Sequence, residues 1–434
     1  MLSRTAALPA IVIVGGGAGG LELATRLGRS LGFRHKARIV LVDGSPTHIW
    51  KPLLHEVATG ALNTGEDEVN YFAHGYRNGY EFEYGYMSAL DSTRRCIRLE
   101  AIHGRDGEQL SPAREVAYDW LVLAVGSESN DFGTPGVAEH AMQLNTPADA
   151  ESLRLRLLEL AFKCSSGQQS DLDIAIVGGG ATGVELAAEL NHTVREMHQY
   201  GARLQPAQVH ISVIEGAERI LAAAPPSLSA YAQEQLAAKQ IRVLTQSLVA
   251  AVTPAGVQLR DGREVRADIT VWAAGVKAPA WLGSLGLETS RINQLKVDAN
   301  LRCLGQDNVY AMGDCAACDG GEGRTLPATA QVAHQQAQWL AGELSARLSG
   351  GAQPAFAFKP QGMMVSLGKH TAVGSLAAIV GPKRDYYVEG RGAKLIYASL
   401  YRMHQAAVHG WAMAALLYVG DKLRRVANPA LKLH

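Results

Sequence analysis

One pattern occurs twice in this chain, and that repeat limits the fold more than any other feature. Ala10–Val14 (AIVIV) is a β-branched run that stops at Gly15-Gly16-Gly17-Ala18-Gly19-Gly20 and passes into the helical stretch LELATRLGRSLG. A second apolar run, 37–42 (ARIVLV), ends on Asp43. Strand, glycine turn, helix, strand, acid is the order of a βαβ unit that cradles a dinucleotide. The order returns at 174–177, followed by Gly178-Gly179-Gly180-Ala181-Thr182-Gly183, the helical stretch VELAAELNHTVREM, and VHISVI ending on Glu215. In each copy the first glycine (Gly15, Gly178) permits a tight turn, the second (Gly17, Gly180) lets backbone approach a pyrophosphate, and the third (Gly20, Gly183) lets helix and strand pack. The helix start, at Ala18 and Gly19 or at Ala181 and Thr182, then offers free N–H groups to the anion. One such turn is a weak signal and is open to reading as a plain structural turn; two in matching contexts are not.

The stretch 118–126 (YDWLVLAVG, with Ala124 and Gly126) returns a strand to the first sheet, and 269–275 (ITVWAAG, ending on Gly275) does the same for the second. A further strand, 308–314 (NVYAMGD), ends on Gly313-Asp314, and 327–340 reads as a helix. The expected fold class is therefore α/β, with two Rossmann-like dinucleotide-binding domains, the second inserted in the first. Expected boundaries are 1–145 and 278–350 for the first domain and 146–277 for the second, with a mixed β and helical region over 351–434. Asp43 and Glu215 lie where a carboxylate accepts hydrogen bonds from an adenosine ribose, and Glu215 would repel a 2′-phosphate, which favours NAD over NADP. Arg219, close by, weakens that preference because it could reach a phosphate. Asp314 suits the ribitol chain of FAD, with the next helix aimed at the flavin carbonyl; the alternative is a helix-capping aspartate.

Composition narrows the class. At 434 residues and 47% hydrophobic, the chain has room for more than one core, and its 41 Lys plus Arg balance 41 Asp plus Glu, so no net field draws it to nucleic acid. The amino terminus does not read as a secretory signal, and no stretch reaches the ~20 apolar residues of a spanning helix. Five scattered cysteines, Cys96, Cys164, Cys303, Cys315 and Cys318, form no disulfide framework, and a reducing cytoplasm is the expected setting.

On these motifs the chain resembles the two-dinucleotide-binding flavoprotein reductases, and within them the bacterial type II NADH dehydrogenases, single-subunit NADH:quinone oxidoreductases. The likeness covers nearly the whole chain and includes Trp50-Lys51-Pro52-Leu53-Leu54-His55-Glu56-Val57, Gly313-Asp314-Cys315, Ala330-Gln331-Val332-Ala333-His334-Gln335 and the tail YRMHQAAVHGW…NPALKLH. The resemblance implies FAD, non-covalently held, in the Gly15 copy and NADH in the Gly178 copy. It assigns Lys51, Pro52, Ala124, Gly126, Gly313, Asp314, Ala330 and Gln331 to FAD, and Gly275 and Glu185 to NADH. It carries a quinone role onto Gln331 and Gln335, and an acid near nicotinamide and flavin onto Glu185, whose alternative is a solvated first-turn glutamate. Lys369 falls where some relatives have a basic residue near the flavin. Hydride from NADH would reach the flavin, and two electrons would go on to ubiquinone or menaquinone without ion pumping. A homodimer at the cytoplasmic face of the inner membrane is also implied.

The cysteines separate related reactions. Disulfide reductases need a redox pair beside the flavin, and no cysteine precedes Cys96, where the glutathione and lipoamide types carry theirs. Cys315 and Cys318 form a CxxC with no second half to complete a metal site, so packing cysteines are expected. Sulfide:quinone reductases use a cysteine in the carboxy-terminal portion, and none follows Cys318. Residues 383–434 carry nine Lys or Arg against three acids, and Ile396, Leu400, Met403, Ala407, Trp411, Ala414 and Tyr418 fall on one helical stripe. Such a helix suits an anionic lipid surface, with a core helix or dimer contact as the alternative. Two rival functions remain: a soluble flavin reductase of a protein acceptor such as ferredoxin, and a slowly turning redox sensor.

Overall fold

The structure, a computed structural model, describes residues 8–62, 68–321, 323–368, 371–375 and 387–427. In chain order the elements that bear on function begin with β1 (Ala10–Val14), α1 (Ala18–Leu27), β2 (Arg38–Asp43), α2 (Leu54–Ala58), α3 (Tyr71–Asn78), β3 (Glu81–Tyr84) and β4 (Trp120–Leu123). There follow β5 (Ala141–Met142), α4 (Pro147–Ser165), β6 (Leu172–Val177), α5 (Ala181–Gln199), β7 (Val209–Ile214), α6 (Pro226–Ala238), β8 (Arg242–Leu244), β9 (Ile269–Trp272) and β10 (Val309–Ala311). The chain closes with α7 (Ala330–Leu348), β11 (Met363–Ser366), β12 (Ala372–Ser375), β13 (Tyr387–Glu389), α8 (Gly390–His409) and α9 (Trp411–Ala427).

Two compact units result. One gathers Met1–Trp50, Glu68–Glu128 and Val276–Lys359; the other gathers Lys51–Asp67, Ser129–Gly275 and Pro360–His434. In sequence the second unit interrupts the first, and beyond the expected 146–277 it also takes Lys51–Asp67, expected in the first domain, and the residues from 360 onward.

The first unit is built on a parallel sheet in the order β10-β4-β1-β2-β3. β-branched and aliphatic side chains fill both of its faces: Ile11, Val12 and Ile13 in β1 and Leu121, Val122 and Leu123 in β4 are all 0% exposed. A parallel sheet covered on both sides requires such continuous apolar runs. Each fully buried aliphatic side chain contributes about 1.5–3 kcal/mol.

The second unit repeats the design in the order β5-β9-β6-β7-β8, again parallel. β6 holds the position of β1, and β9 that of β4. The outermost strand differs in origin: β10 comes late in the chain, whereas β5 precedes the glycine turn of its own unit. Each unit also carries a three-stranded antiparallel sheet, Met87–Asp91 with Cys96–Leu99 and Arg114–Ala117 in the first, Val249–Thr253 with Gly256–Leu259 and Glu264–Arg266 in the second. The second unit ends in the antiparallel β11-β12-β13 sheet, against which α8 packs.

The tail departs from the expected single stripe. Gly410, at φ +88°, lies in the left-handed region and separates α8 from α9. Ala407 and Trp411 therefore belong to different helices; Trp411 is 75% exposed while Ala414 is 5% exposed. The Arg402 guanidinium lies over the Tyr418 ring at 5.1 Å and joins the two helices. Lys369 and the segment 428–434, which holds NPALKLH, lie outside the described residues, as do Lys383, Arg384 and Lys432 of the basic tail.

Candidate active site

In the first unit, β1 ends on Gly15, whose φ of +103° is open only to glycine at low strain. A Cβ there would run into the Ala124 carbonyl, and one on Gly20 would run into the Gly15 carbonyl. A Cβ on Gly19 would fall 2.6 Å from Met312 Cε, so Gly19 sets the approach of α1 to the strand end near α7. Gly17 differs: no heavy atom lies within 4 Å of its would-be Cβ. It is the N-cap of α1 and, being glycine, makes no side-chain cap hydrogen bond, so no side chain of its own covers the helix start. Gly15 and Gly20 thus serve packing, and Gly17 leaves room for an anion against a positive helix end.

The second unit reproduces this arrangement. Gly178 has φ +115° and a Cβ on it would lie 2.6 Å from the Ala273 carbonyl oxygen. Gly183 meets the Gly178 carbonyl, and Gly180 faces open space as the N-cap of α5, again with no side-chain cap. Ala181 and Thr182 are exposed at the start of α5.

The strand-end acids hold the turns. The Gly16 N–H donates to Asp43 at 2.5 Å and the Ser45 N–H to its other oxygen at 2.7 Å. The Gly179 N–H donates to Glu215 at 2.7 Å and the Ala217 N–H to its other oxygen at 2.8 Å. Burial raises the Asp43 pKa above the ordinary carboxylate value, and the two backbone donors oppose that rise. Sequence reasoning missed Tyr71 on α3, which is 2% exposed and donates to the Gly16 carbonyl at 2.6 Å. Arg219 is committed elsewhere: it donates to the carbonyls of Leu221, Ala222 and Ala224 at 2.7–3.1 Å.

Gly313, at φ +69°, opens the short helical turn Gly313–Cys315 at the end of β10. The Ser127 hydroxyl donates to Asp314 Oδ2 at 2.7 Å, and Gln294 donates to the Asp314 carbonyl at 2.9 Å. Asp314 does not cap α7; Thr329 does, accepting from Val332 N–H. Ala330 and Gln331 form the first residues of α7. Gln335, one turn on, is tied at both ends of its amide to the backbone of Lys359, donating at 2.8 Å and accepting at 3.0 Å. The neighbour that sequence reasoning passed over, Gln336, is 0% exposed and accepts the Gly313 N–H at 2.7 Å. The first unit therefore offers one uncapped helix start, a strand-end acid and a second acid held near another helix start, a donor set that fits FAD.

Ala124 continues β4, its N–H donating to the Val14 carbonyl at 2.7 Å, and Gly126 follows at φ +74° with open space beside it. Gly275 stands at φ +67° against the Phe132 ring. Lys51 and Pro52 open a short helical turn, Lys51–Leu53, in the second unit.

Glu185, in α5 just past Gly183, is 8% exposed and so is not a solvated surface glutamate. The Ser366 N–H donates to one of its oxygens at 2.9 Å, and His55 Nδ1 lies 3.9 Å from the other. Cys315 and Cys318 are free and buried. Burial pushes both thiols up to about 11, and Cys315 donates to the Met312 and Leu123 carbonyls at 3.2 and 3.4 Å. Protonated thiols in such surroundings are poor nucleophiles, which agrees with a packing role. Among the described residues no group of side chains is arranged to hold a metal ion, and no helix is long and apolar enough to cross a membrane.

The family described as pyridine nucleotide-disulphide oxidoreductase matches residues 9–337. A type II NADH:quinone oxidoreductase of Haemophilus influenzae is 40% identical over 98% of this chain and 99% of its own. Demethylphylloquinone reductase NdbB of Synechocystis is 32% identical over 85% of this chain and 87% of its own. The fold matches that of NDH2 from Plasmodium falciparum, solved in complex with NADH, at a TM-score of 0.80 with 19% identity, over 98% of this chain and 99% of that one.

Proposed function

The chain belongs to the pyridine nucleotide-disulphide oxidoreductase family and, within it, to the type II NADH:quinone oxidoreductases, and on that premise we propose that it oxidises NADH and reduces a membrane quinone without pumping ions. FAD, when bound, supplies the chemistry as a hydride acceptor that returns two electrons. The observation that carries this reading is the duplicated cradle: two uncapped helix starts, each behind an open glycine and a carboxylate-clamped turn.

Within it the residues divide the work. The Gly17 end of α1 and Asp43 bind the pyrophosphate and ribose of FAD, and Asp314 takes its ribitol chain. The Gly180 end of α5 binds the NADH pyrophosphate. Glu215 accepts from the ribose hydroxyls, and with Arg219 turned to backbone carbonyls it keeps NADPH the poorer substrate. Lys51, Pro52, Ala124, Gly126 and Gly275 complete the cofactor contacts. Gln331 meets the quinone head, and Gln335 serves it by fixing the chain at Lys359. Quinone would arrive from the lipid: α9 carries Trp411, Leu416, Val419 and Leu423, each at least half exposed, a face suited to the acyl boundary of the cytoplasmic leaflet of the inner membrane. The working form is a homodimer.

The absorption spectrum of purified protein tests the reading. It should be yellow, bleach under anaerobic NADH, and recolour with a short-chain ubiquinone or menaquinone. Recolouring by ferredoxin and not by either quinone would overturn it, as would a colourless protein that takes up no added FAD.

A further inference from the structure

A carboxylate buried among apolar helices stays ionised only where donors replace the lost water. Glu185 is offered such donors from three elements of its unit. Ser366 donates its N–H from β11, His55 faces it from α2, and the Tyr397 hydroxyl hydrogen-bonds it from α8. Burial raises the Glu185 pKa from its ordinary value; His55, the Ser366 N–H and Tyr397 oppose the rise, and Glu56 beside His55 adds to it. Tyr397 also faces Glu189, one turn along α5, and burial together with these carboxylates pushes its phenol far up. Burial thus favours its hydroxyl as a hydrogen-bond donor to Glu185. Lys239 faces Glu189 from beyond α6.

We propose that Tyr397 is a positioning residue for Glu185, so that the carboxy-terminal helix α8 sets the orientation and charge of a carboxylate on the helix that opens the second cradle. Tyr397 lies midway along α8, and its hydroxyl hydrogen-bonds a carboxylate of α5. α8 is also the helix to which the exposed α9 is joined across Gly410. The placement of the tail and the state of Glu185 thus share one hydrogen bond. This inference rests on the reading that the second cradle takes NADH.

The test uses the full-length, flavin-loaded protein. Infrared spectra are titrated with pH, and the carbonyl band of the protonated carboxyl that disappears in Glu185→Gln is assigned to Glu185. Tyr397→Phe removes a donor that favours the ionised form, so the midpoint of that band should move to more alkaline pH by about one unit, the effect of one hydrogen bond to a charged group. His55→Gln should move it the same way; if Tyr397→Phe loses flavin on purification, its midpoint is read with FAD supplied in excess. An unmoved midpoint overturns the proposal, because loss of packing alone does not select one carboxyl. The pH profile of flavin bleaching by NADH is recorded in parallel. If the band moves and that profile does not, positioning by Tyr397 stands and it is the service of Glu185 to the NADH reaction that fails.

Discussion

Glu215 clamps the turn of its unit and is proposed to accept from the ligand with the same carboxylate. An ionised carboxylate has about four acceptor positions; the Gly179 and Ala217 N–H groups take one on each oxygen. The positions left over suit two ribose hydroxyls. In Glu215→Gln the amide nitrogen must face a backbone N–H, so one clamp is lost together with the negative charge. A loss of about 1–2 kcal/mol predicts a KM for NADH raised roughly tenfold, with flavin content unchanged and the ratio of NADPH to NADH turnover increased. Steady-state rates with both nucleotides check this, and an unchanged ratio would contradict the role given to Glu215. Asp43 and Glu215 were legible in the sequence because a strand-end acid follows the glycine turn at a fixed structural offset. Tyr71 was not, since nothing local to it marks contact with Gly16 across the unit. Among Gln331, Gln335 and Gln336 the sequence pattern favoured the first two; that Gln336 is the buried one depends on the rotation of α7 against α1, which spacing alone does not set.

The helices at the carboxy end show what periodicity reads well and what it misses. The uncharged run 406–419 invites one continuous helix, because a lone glycine is tolerated in a helix and costs only about 1 kcal/mol relative to alanine. Gly410 instead adopts φ +88° and ends α8, its N–H returning to the Ala406 carbonyl at 2.8 Å. The chemical character of the tail was therefore legible, whereas its division was not: a positive φ leaves no mark beyond the glycine itself. The consequence is a shift of the apolar face to Leu416, Val419 and Leu423, which are 64%, 52% and 68% exposed and three or four residues apart on α9. Each leucine moved from water into an acyl boundary contributes about 1.5–3 kcal/mol. Leu416→Glu with Leu423→Glu should then release most of the protein from anionic vesicles in a sedimentation assay while NADH oxidation with a soluble acceptor continues. A double variant that sediments as before would remove α9 from the membrane-facing role.

At the scale of the whole molecule the defining fact is duplication: one sheet order, one glycine turn and one acid clamp, each present twice with the same division between packing and open glycines. The β-branched runs and glycine turns made this legible, because both signals are local; the addition of the residues from 360 onward to the second unit was not, since it depends on the long-range contact of Ser366 with Glu185. Duplication also makes the two sites separable by single methyl groups. At Gly20 and Gly183 an added Cβ strikes the carbonyl of the turn glycine, and overpacking of that kind costs about 1–3 kcal/mol or more of stability. At Gly17 and Gly180 the backbone is compatible with alanine, φ being −59° and −71°, and the Cβ enters empty space where the pyrophosphate is to lie. Gly17→Ala should therefore fold with an unchanged melting temperature in its flavin-free form and emerge colourless. Gly180→Ala should fold and emerge yellow, bleach with dithionite, and require at least about tenfold more NADH for the same bleaching. Flavin absorbance after purification, followed by the two reductants in turn, distinguishes them; loss of colour in Gly180→Ala with retention in Gly17→Ala would exchange the two cradles, and equal loss in both would deny that they bind different dinucleotides.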